Sequence, residues 1–339
     1  MPKVGINLAL QGGGAHGAFT WGVVDRLLQD ENIEIAGISG TSAGALNGAA
    51  LKAGLVENGR QGARDNLKWL WDQVSGIGDM RLAHWMSALF PTPGMVSQSI
   101  EYSLPYSIAD AWTRMVSPYA YGPFYQNPLR RIAQEFHYDD VCADKGPAFF
   151  VSATNVKTGK IRVFSGLEIN PDVILASACL PTIFQAVTID GEDYWDGGYT
   201  GNPALFPLFE PDLPSDIVVV NINPLEREDT PREARDILNR INEISFNSSL
   251  LRELRAIHFV QRLIGEGRIP EGAMKAVRIH MVADDDLMNE LSVASKLVPT
   301  PATLGALFEA GQAAAERFLA GHAKDLGKRS SVDQPAMYS

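Results

Sequence analysis

IEIAGISGTSAGALNGAALK runs from Ile33 to Lys52 and joins an apolar run, a glycine-bracketed turn and a stretch of small residues. The apolar run at 33–38 predicts a buried strand, and the small residues at 43–52 predict a helix that packs closely on a sheet. Between them, residues 40–44 read Gly-Thr-Ser-Ala-Gly and fit Gly-x-Ser-x-Gly, a pattern typical of a sharp strand-to-helix turn. The fold can be predicted outward from this unit.

A second unit of the same form precedes it. Val4–Leu10 is a short apolar run that leads to Gly12, Gly13 and Gly14, and apolar residues then recur at helical spacing over 16–29. Consecutive units of this kind form a parallel sheet that binds ligands at the carboxyl ends of its strands. The sequence therefore predicts a three-layer α/β/α fold with a mostly parallel central sheet, and both glycine turns on one edge of that sheet.

The rest of the chain continues this pattern with one interruption. Further strands are predicted near 149–153, 161–164, 217–222 and 277–282. Residues 76–126 break the pattern because Gly, Pro and many aromatic residues crowd into them, and we interpret them as an inserted helical cap. We expect a single domain over 1–320, which includes a long helical region at 231–264, followed by a loose tail at 321–339.

Composition narrows the classes of function. The chain has 339 residues and a formal net charge of -11, with 45% hydrophobic and 20% charged residues, as in ordinary globular proteins. This charge argues against a nucleic-acid partner and against lasting adsorption to an anionic membrane, since both depend on clustered Lys and Arg. Cys142 and Cys179 are too few for a disulfide framework, and the first residues lack the pattern of a signal peptide, so we expect a cytoplasmic protein.

Ser42 is the candidate nucleophile. Gly40 and Gly44 leave room for a strained turn that exposes the serine hydroxyl, and the following helix N-terminus stabilises negative charge there. Successive backbone N–H groups of Gly12–Gly14 could hold an oxyanion beside it. On its own, however, the segment also fits a simple turn with a capping serine.

The first glycine loop has a second interpretation, as a dinucleotide site. Gly12, Gly14 and Gly17 satisfy Gly-x-Gly-x-x-Gly. That fingerprint requires an acidic residue at the end of the next strand, yet the strand runs into the serine turn instead. A phosphate-binding P-loop also requires Lys and Ser or Thr, where Ala18 and Phe19 stand. We therefore expect no nucleotide partner and no cofactor.

Asp196 is the candidate base, because none of the six histidines has a persuasive setting. It lies in Tyr-Trp-Asp-Gly-Gly at 194–198, where on a strand Tyr194 and Asp196 share one face. Burial beside Tyr194 is expected to raise the pKa of the carboxyl and make it a better base. Taken alone, the segment also fits a plain Asp-Gly-Gly turn.

Together these motifs resemble the patatin-like phospholipase family. The resemblance rests on Gly-Gly-Gly-Ala-His-Gly at 12–17, Gly-Thr-Ser-Ala-Gly at 40–44 and Asp-Gly-Gly at 196–198. It also includes Ala-Ser-Ala-Cys-Leu-Pro-Thr-Ile-Phe at 176–184, and it covers about the first 205 residues. Three motifs in the right order favour this family over the isolated turns.

The resemblance implies a hydrolase that cleaves carboxylic esters of lipids through a Ser42–Asp196 dyad, with an acyl-enzyme intermediate and an oxyanion hole at Gly12–Gly14. It implies no metal ion, and as partners a lipid or other acyl ester and transient contact with a membrane surface. The residues that we expect near the substrate are His16, Trp85, Tyr121 and Phe124. His16 departs from the family pattern, since many members carry Arg or Lys there, and we favour a structural role for it.

A catalytically silent lipid-binding or scaffold protein with the same fold is the alternative from another class. The intact Ser42 and Asp196 argue against it. The acyl ester itself is not identified by the sequence, which leaves phospholipid, lysophospholipid, glyceride and polyester open.

Overall fold

A computed structural model describes residues 3–77, 94, 97, 99, 103, 116–227, 229–270 and 272–338. The strands are β1 Val4–Leu10, β2 Ile33–Gly40, β3 Ala148–Asn155, β4 Ile161–Ser165, β5 Val187–Ile189, β6 Glu192–Asp196, β7 Asp216–Val220 and β8 Arg278–Val282. The described α-helices, numbered in chain order, are α1 Gly17–Leu28, α2 Ala43–Ile77, α3 Arg130–Glu135, α4 Tyr138–Val141, α5 Pro171–Ser177, α6 Ala234–Gly265, α7 Asp285–Glu290, α8 Val293–Leu297, α9 Pro301–His322 and α10 Gln334–Tyr338.

The strands form one mixed sheet. Its order is β5-β6-β3-β2-β1-β7-β8, and β4 also pairs with β3. The run β3-β2-β1-β7-β8 is parallel throughout, whereas β4, β5 and β6 join in antiparallel pairings. The predicted α/β fold with a mostly parallel sheet is therefore confirmed.

Side chains of the central strands point alternately to the two faces of the sheet, and helices pack on both faces. In β7, which is buried throughout, Val218 and Val220 belong to a core that includes residues of α1, α2 and α9. Ile217 and Val219 point the other way and pack in a second core with Leu250 of α6. Because successive strand residues face opposite sides, a strand buried on both faces is apolar throughout.

Two segments differ from the sequence expectations, and a third agrees with them. The helix after Ser42 continues to Ile77, with a break at Asn58 and Gly59, where Gly59 has a left-handed φ of 58°. The predicted 231–264 helical region is α6. The tail that we expected to be loose is packed instead: Leu326 is buried, the Ser331 amide donates to the Ile279 carbonyl (3.0 Å), and α10 follows.

Most of the predicted cap at 76–126, including Trp85, lies outside the described residues. A 3₁₀ helix at Pro118–Phe124 belongs to its described end. Three hydrogen bonds join this end to the loop before β5. The Gln185 amide donates to the Tyr125 hydroxyl (3.2 Å), Gln185 Nε2 donates to the Pro118 carbonyl (3.0 Å), and the Ala186 amide donates to the Tyr119 hydroxyl (3.0 Å).

Within the described part of the chain, no helix combines the length and apolar character needed to cross a membrane.

Candidate active site

Ser42 occupies the turn between β2 and α2 in a left-handed backbone conformation, with φ of 55°. Such a conformation is strained for a residue with a side chain, and the strain is typical of functional turns. The bracketing glycines are needed for space: a Cβ on Gly44 would lie 2.1 Å from the Leu10 carbonyl oxygen, and one on Gly40 would lie 2.4 Å from the Gly44 carbonyl oxygen. The sharp turn predicted from the sequence is present.

Long-range hydrogen bonds hold this turn. The Ser42 amide donates to Ser177 Oγ at the end of α5 (2.9 Å). The Thr41 hydroxyl donates to the Gly201 carbonyl (2.7 Å) and lies 2.6 Å from Ser152 Oγ. Because these partners come from three separate segments, the position of Ser42 is set by the tertiary fold as well as by its own turn.

Asp196 ends β6 and is fully buried. Strand β6 runs antiparallel to β3 and pairs Asp196 with Ala153, so it ends at the same edge of the sheet at which β2 leads into Ser42. Asp196 Oδ1 accepts the Gly198 amide (2.7 Å). The second oxygen, Oδ2, is buried and has no hydrogen-bond partner among the described residues.

The environment of Asp196 makes its carboxyl a better base. Burial raises its pKa to about 7, and this effect outweighs the opposing hydrogen-bonding influence of the Gly198 amide and the Ser42 hydroxyl. The Ser42 hydroxyl thus lies near enough to Asp196 to affect its pKa, although no complete hydrogen bond joins the two groups among the described residues. The expected rise in the Asp196 pKa is confirmed.

The first glycine loop lies directly against the serine turn. A Cβ on Gly12 would lie 2.6 Å from the Cβ of Ser42. The Gly12 amide, however, donates to Asn202 Oδ1 (2.6 Å) and is not free for a ligand. The amides of Gly13 and Gly14 have no partner within the described part of the chain. The loop therefore offers two free amide donors rather than the three that we expected.

His16 lies inside the protein, with 1% of its surface exposed. The Ser295 hydroxyl donates to the Ser292 carbonyl (2.7 Å), so the 2.8 Å contact between Ser295 Oγ and His16 Nε2 requires the histidine to donate. Burial, together with Lys296 and Arg227, lowers the pKa of His16 well below its ordinary value. The imidazole is thus a neutral, buried group, which supports a structural role.

The other residues expected near the substrate are less informative. Tyr121 is 45% exposed on the 3₁₀ helix at Pro118–Phe124. The side chain of Phe124 and the whole of Trp85 lie outside the described residues.

Sequence reasoning missed the amides that surround the glycine loop. Asn202 and Asn223 are fully buried, and both contact Gly12. Gln11 links them, because its Nε2 donates to the Asn202 carbonyl (3.2 Å) and its Oε1 accepts the Asn223 amide (3.1 Å). A buried glutamine next to three glycines was the only local signal, since the asparagines lie about 190 and 210 residues further along the chain.

Comparison with known proteins identifies the family to which the chain belongs. The model of the patatin-like phospholipases matches residues 8–209, a span that includes Ser42 and Asp196. No curated protein matches the sequence. Among solved structures, VipD from Legionella pneumophila is similar, with a TM-score of 0.45 and 14% identity over 95% of this chain and 67% of that chain. Because the family match covers more than half of the sequence, the chain belongs to the patatin-like phospholipase family, which supports a hydrolase that acts on lipid esters.

Proposed function

We propose that this protein is a serine lipid acyl hydrolase in which Ser42 is the nucleophile and Asp196 the base. The observation that carries the proposal is the Asp196 carboxyl. It is fully buried, its Oδ2 has no partner in the described part of the chain, and the Ser42 hydroxyl lies near enough to affect its pKa. A buried acceptor with no partner is energetically costly, and such sites cluster where function requires them. This oxygen is the acceptor for the serine proton.

The first half of the reaction forms an acyl-enzyme. Asp196 takes the proton of Ser42 as Oγ attacks the ester carbonyl carbon, and the bond to the alcohol then breaks. The protonated Asp196 returns the proton to the departing alkoxide, which leaves as the alcohol. The amides of Gly13 and Gly14 donate to the developing oxyanion, and each such donor contributes about 3 to 4 kcal/mol in other hydrolases.

The second half repeats these roles with water. Asp196 removes a proton from water as it attacks the acyl carbon, and the bond to Ser42 Oγ then breaks. The carboxylic acid is released, and the proton returns to Ser42. A pKa of about 7 suits both halves, because Asp196 is partly ionised near neutral pH and still able to return a proton.

The substrate in this proposal is a carboxylic ester of a lipid, bound without a metal ion or cofactor. With a net charge of -11, the chain has little electrostatic attraction for anionic lipid surfaces, so its contact with lipid is apolar and transient.

A fluorophosphonate probe and a p-nitrophenyl ester test the proposal together. We expect stoichiometric labelling at Ser42 and ester hydrolysis, both of which Ser42→Ala should abolish. Ser331→Ala is the matched control, since Ser331 also lies in a cluster with an aspartate. Labelling at a different serine, or hydrolysis by Ser42→Ala at the wild-type rate, would overturn it. A silent lipid-binding protein would show neither label nor turnover.

A further inference from the structure

The Gly12–Gly13 peptide group is held through its carbonyl. The Gly12 carbonyl oxygen accepts Asn223 Nδ2 (2.8 Å) and, at longer range, Asn202 Nδ2 (3.4 Å). Because a peptide group is planar, fixing the C=O of Gly12 also fixes the direction of the N–H of Gly13. Hydrogen bonds to a carbonyl also polarise the group and make its N–H a stronger donor.

The Asn223 amide has only one orientation that fits its surroundings. Its Oδ1 accepts Lys296 Nζ (2.9 Å), and an ammonium group can only donate. Its Nδ2 must therefore face the Gly12 carbonyl and Gln11 Oε1 (3.1 Å). Exchanging the amide oxygen and nitrogen would oppose a donor to a donor at Lys296, so the lysine fixes which atom of Asn223 faces the loop.

Lys296 itself is seated against the glycine loop. It belongs to α8, and its carbonyl oxygen would lie 2.4 Å from a Cβ on Gly14, so the helix packs directly on the loop. Burial lowers the pKa of Lys296 to about 8, with Glu243 raising it and Arg227 lowering it. The lysine is thus a cation fixed behind the loop.

We propose that Lys296 and Asn223 are positioning residues of the oxyanion hole, in which the ammonium orients the Asn223 amide and this amide aims and polarises the Gly13 N–H. This inference rests on the proposed function. Both residues lie outside the 8–209 span that matches the family model, so the C-terminal part of the chain completes the site.

Kinetics of variants separate this role from a structural one. Lys296→Met is expected to lower kcat for a soluble p-nitrophenyl ester about tenfold and to leave KM within about twofold, because an oxyanion exists only beyond the ground state. Asn223→Asp removes the donor to Gly12 and should lower kcat about 100-fold, close to the loss of one hole donor.

Lys275→Met is the matched control. The Lys275 ammonium also donates hydrogen bonds, in its case to the backbone carbonyls of Leu208 and Glu210, and burial also lowers its pKa. Both of these hydrogen bonds lie outside the glycine loop, so we expect wild-type kcat and KM. Circular dichroism and thermal unfolding of all variants check that the fold is kept.

The pH dependence of the phosphonylation rate separates the proposed role of Lys296 from a purely structural one, because a structural role would not change this dependence. The phosphonylation rate of the wild-type protein should fall as Lys296 loses its proton near pH 8, and in Lys296→Arg this fall should move to higher pH, since arginine stays charged. Three charged or titratable groups lie around Lys296, and none of them titrates in this range: the pKa of Glu243 is lowered, that of Arg227 is raised, and that of buried His16 is well below its ordinary value. The Asp196 carboxyl, with a pKa of about 7, controls the acid side of the profile instead.

Each outcome decides the inference. Wild-type kcat in Lys296→Met and Asn223→Asp, or an alkaline limb unchanged in Lys296→Arg, would overturn it. If Lys296→Met and Asn223→Asp do not fold, the alkaline limb of the pH profile of Lys296→Arg tests the inference by itself. Failure of the wild-type protein to react at Ser42 would instead overturn the proposed function, and this inference with it.

Discussion

Two clusters in this protein bring a serine close to an aspartate, and they lie at different ends of the sheet. Ser42 and Asp196 meet at the carboxyl edge of the parallel strands. At the amino end of β7, Asp216 Oδ1 lies 2.9 Å from His280 Nε2, and His280 Nδ1 lies 3.0 Å from Ser331 Oγ. By composition alone, the second cluster is closer to a Ser-His-Asp triad.

The carboxylates of Asp216 and Asp196 differ in how many of their oxygen atoms have hydrogen-bond partners. Asp216 accepts from Arg278 (Nη2, 2.7 Å), His280 and the Gly327 amide (2.9 Å), and these partners lower its pKa to about 2 despite burial. Asp196 keeps one buried oxygen that no described residue contacts by a hydrogen bond, and burial raises its pKa to about 7. The comparison teaches that an available acceptor with a raised pKa distinguishes a candidate base from a structural carboxylate, whatever residues surround it.

Removing the acceptor at each site should give the largest contrast. Asp196→Asn is expected to lower the rate of ester hydrolysis by about 10³-fold or more, because Ser42 loses its base. Asp216→Asn should keep activity within a few-fold of wild type in the same assay. Equal losses in the two variants would remove the functional distinction between the clusters.

The pH dependence of acylation should follow Asp196. Its carboxyl must be ionised to accept the Ser42 proton, so kcat/KM is expected to fall below pH 7, by about 50-fold between pH 7 and pH 5 for a single group. Asp216 stays ionised over this whole range because its pKa is about 2. A profile flat from pH 5 to pH 8 would show that Asp196 is not the titrating base.

Asp216→Asn, which should keep activity, is expected to lower the stability of the protein. Asp216→Asn weakens an ion pair in which Arg278 is partly exposed, and we expect it to lower the free energy of unfolding by about 2 kcal/mol at pH 7. Because folding lowers the pKa of Asp216, this contribution is present above the ordinary pKa near 4 and is lost as pH falls towards about 2. Denaturant unfolding at pH 7 and pH 3 measures both effects.

Asp196→Asn serves as the control, because its effect on stability should be opposite to that of Asp216→Asn. Folding raises the pKa of Asp196, so its stabilising contribution is present below pH 4 and is lost as pH rises through about 7. At pH 8 the native state therefore buries a charge that asparagine would not carry, and the variant should unfold at a higher temperature than wild type. A lower melting temperature would contradict the charge state inferred for Asp196.

Ser331→Ala should have the smallest effect. It removes one hydrogen bond to His280 at the C-terminal tail, and we expect a loss of about 1 kcal/mol in unfolding free energy with no change in ester hydrolysis. Limited proteolysis should then cut the tail after His322 more readily, whereas a measurable loss of hydrolysis would connect this cluster to the chemistry.

Local patterns were sufficient to predict much of the fold and the candidate pair. The strand-turn-helix around Ser42 is encoded in consecutive residues, since glycines are required wherever the backbone passes this close to its neighbours. The face of β6 was also predictable, because Asp196 and Tyr194 share the alternation of a strand and both are buried. The catalytic roles of these residues stay predictions.

The polar surroundings of the site could not be predicted in the same way. The amide of Gly12 was expected to be a donor for the oxyanion, yet Asn202 occupies it from 190 positions away. The tail was expected to be loose, yet Asp216 and Ile279 bind it. Both errors concern hydrogen bonds between segments that are distant in sequence. Neither periodicity nor a short motif predicts such bonds.

The sequence by itself determined the layered α/β architecture and the family, and it predicted Ser42 and Asp196 as the candidate pair, because each depends on periodicity, glycine geometry or motif order within short stretches. Only the tertiary structure decided which amides of the glycine loop are free, which carboxylate keeps an available oxygen and which lysine stands behind the loop. These properties depend on burial and on partners that meet through folding, and they set hydrogen bonding and pKa values.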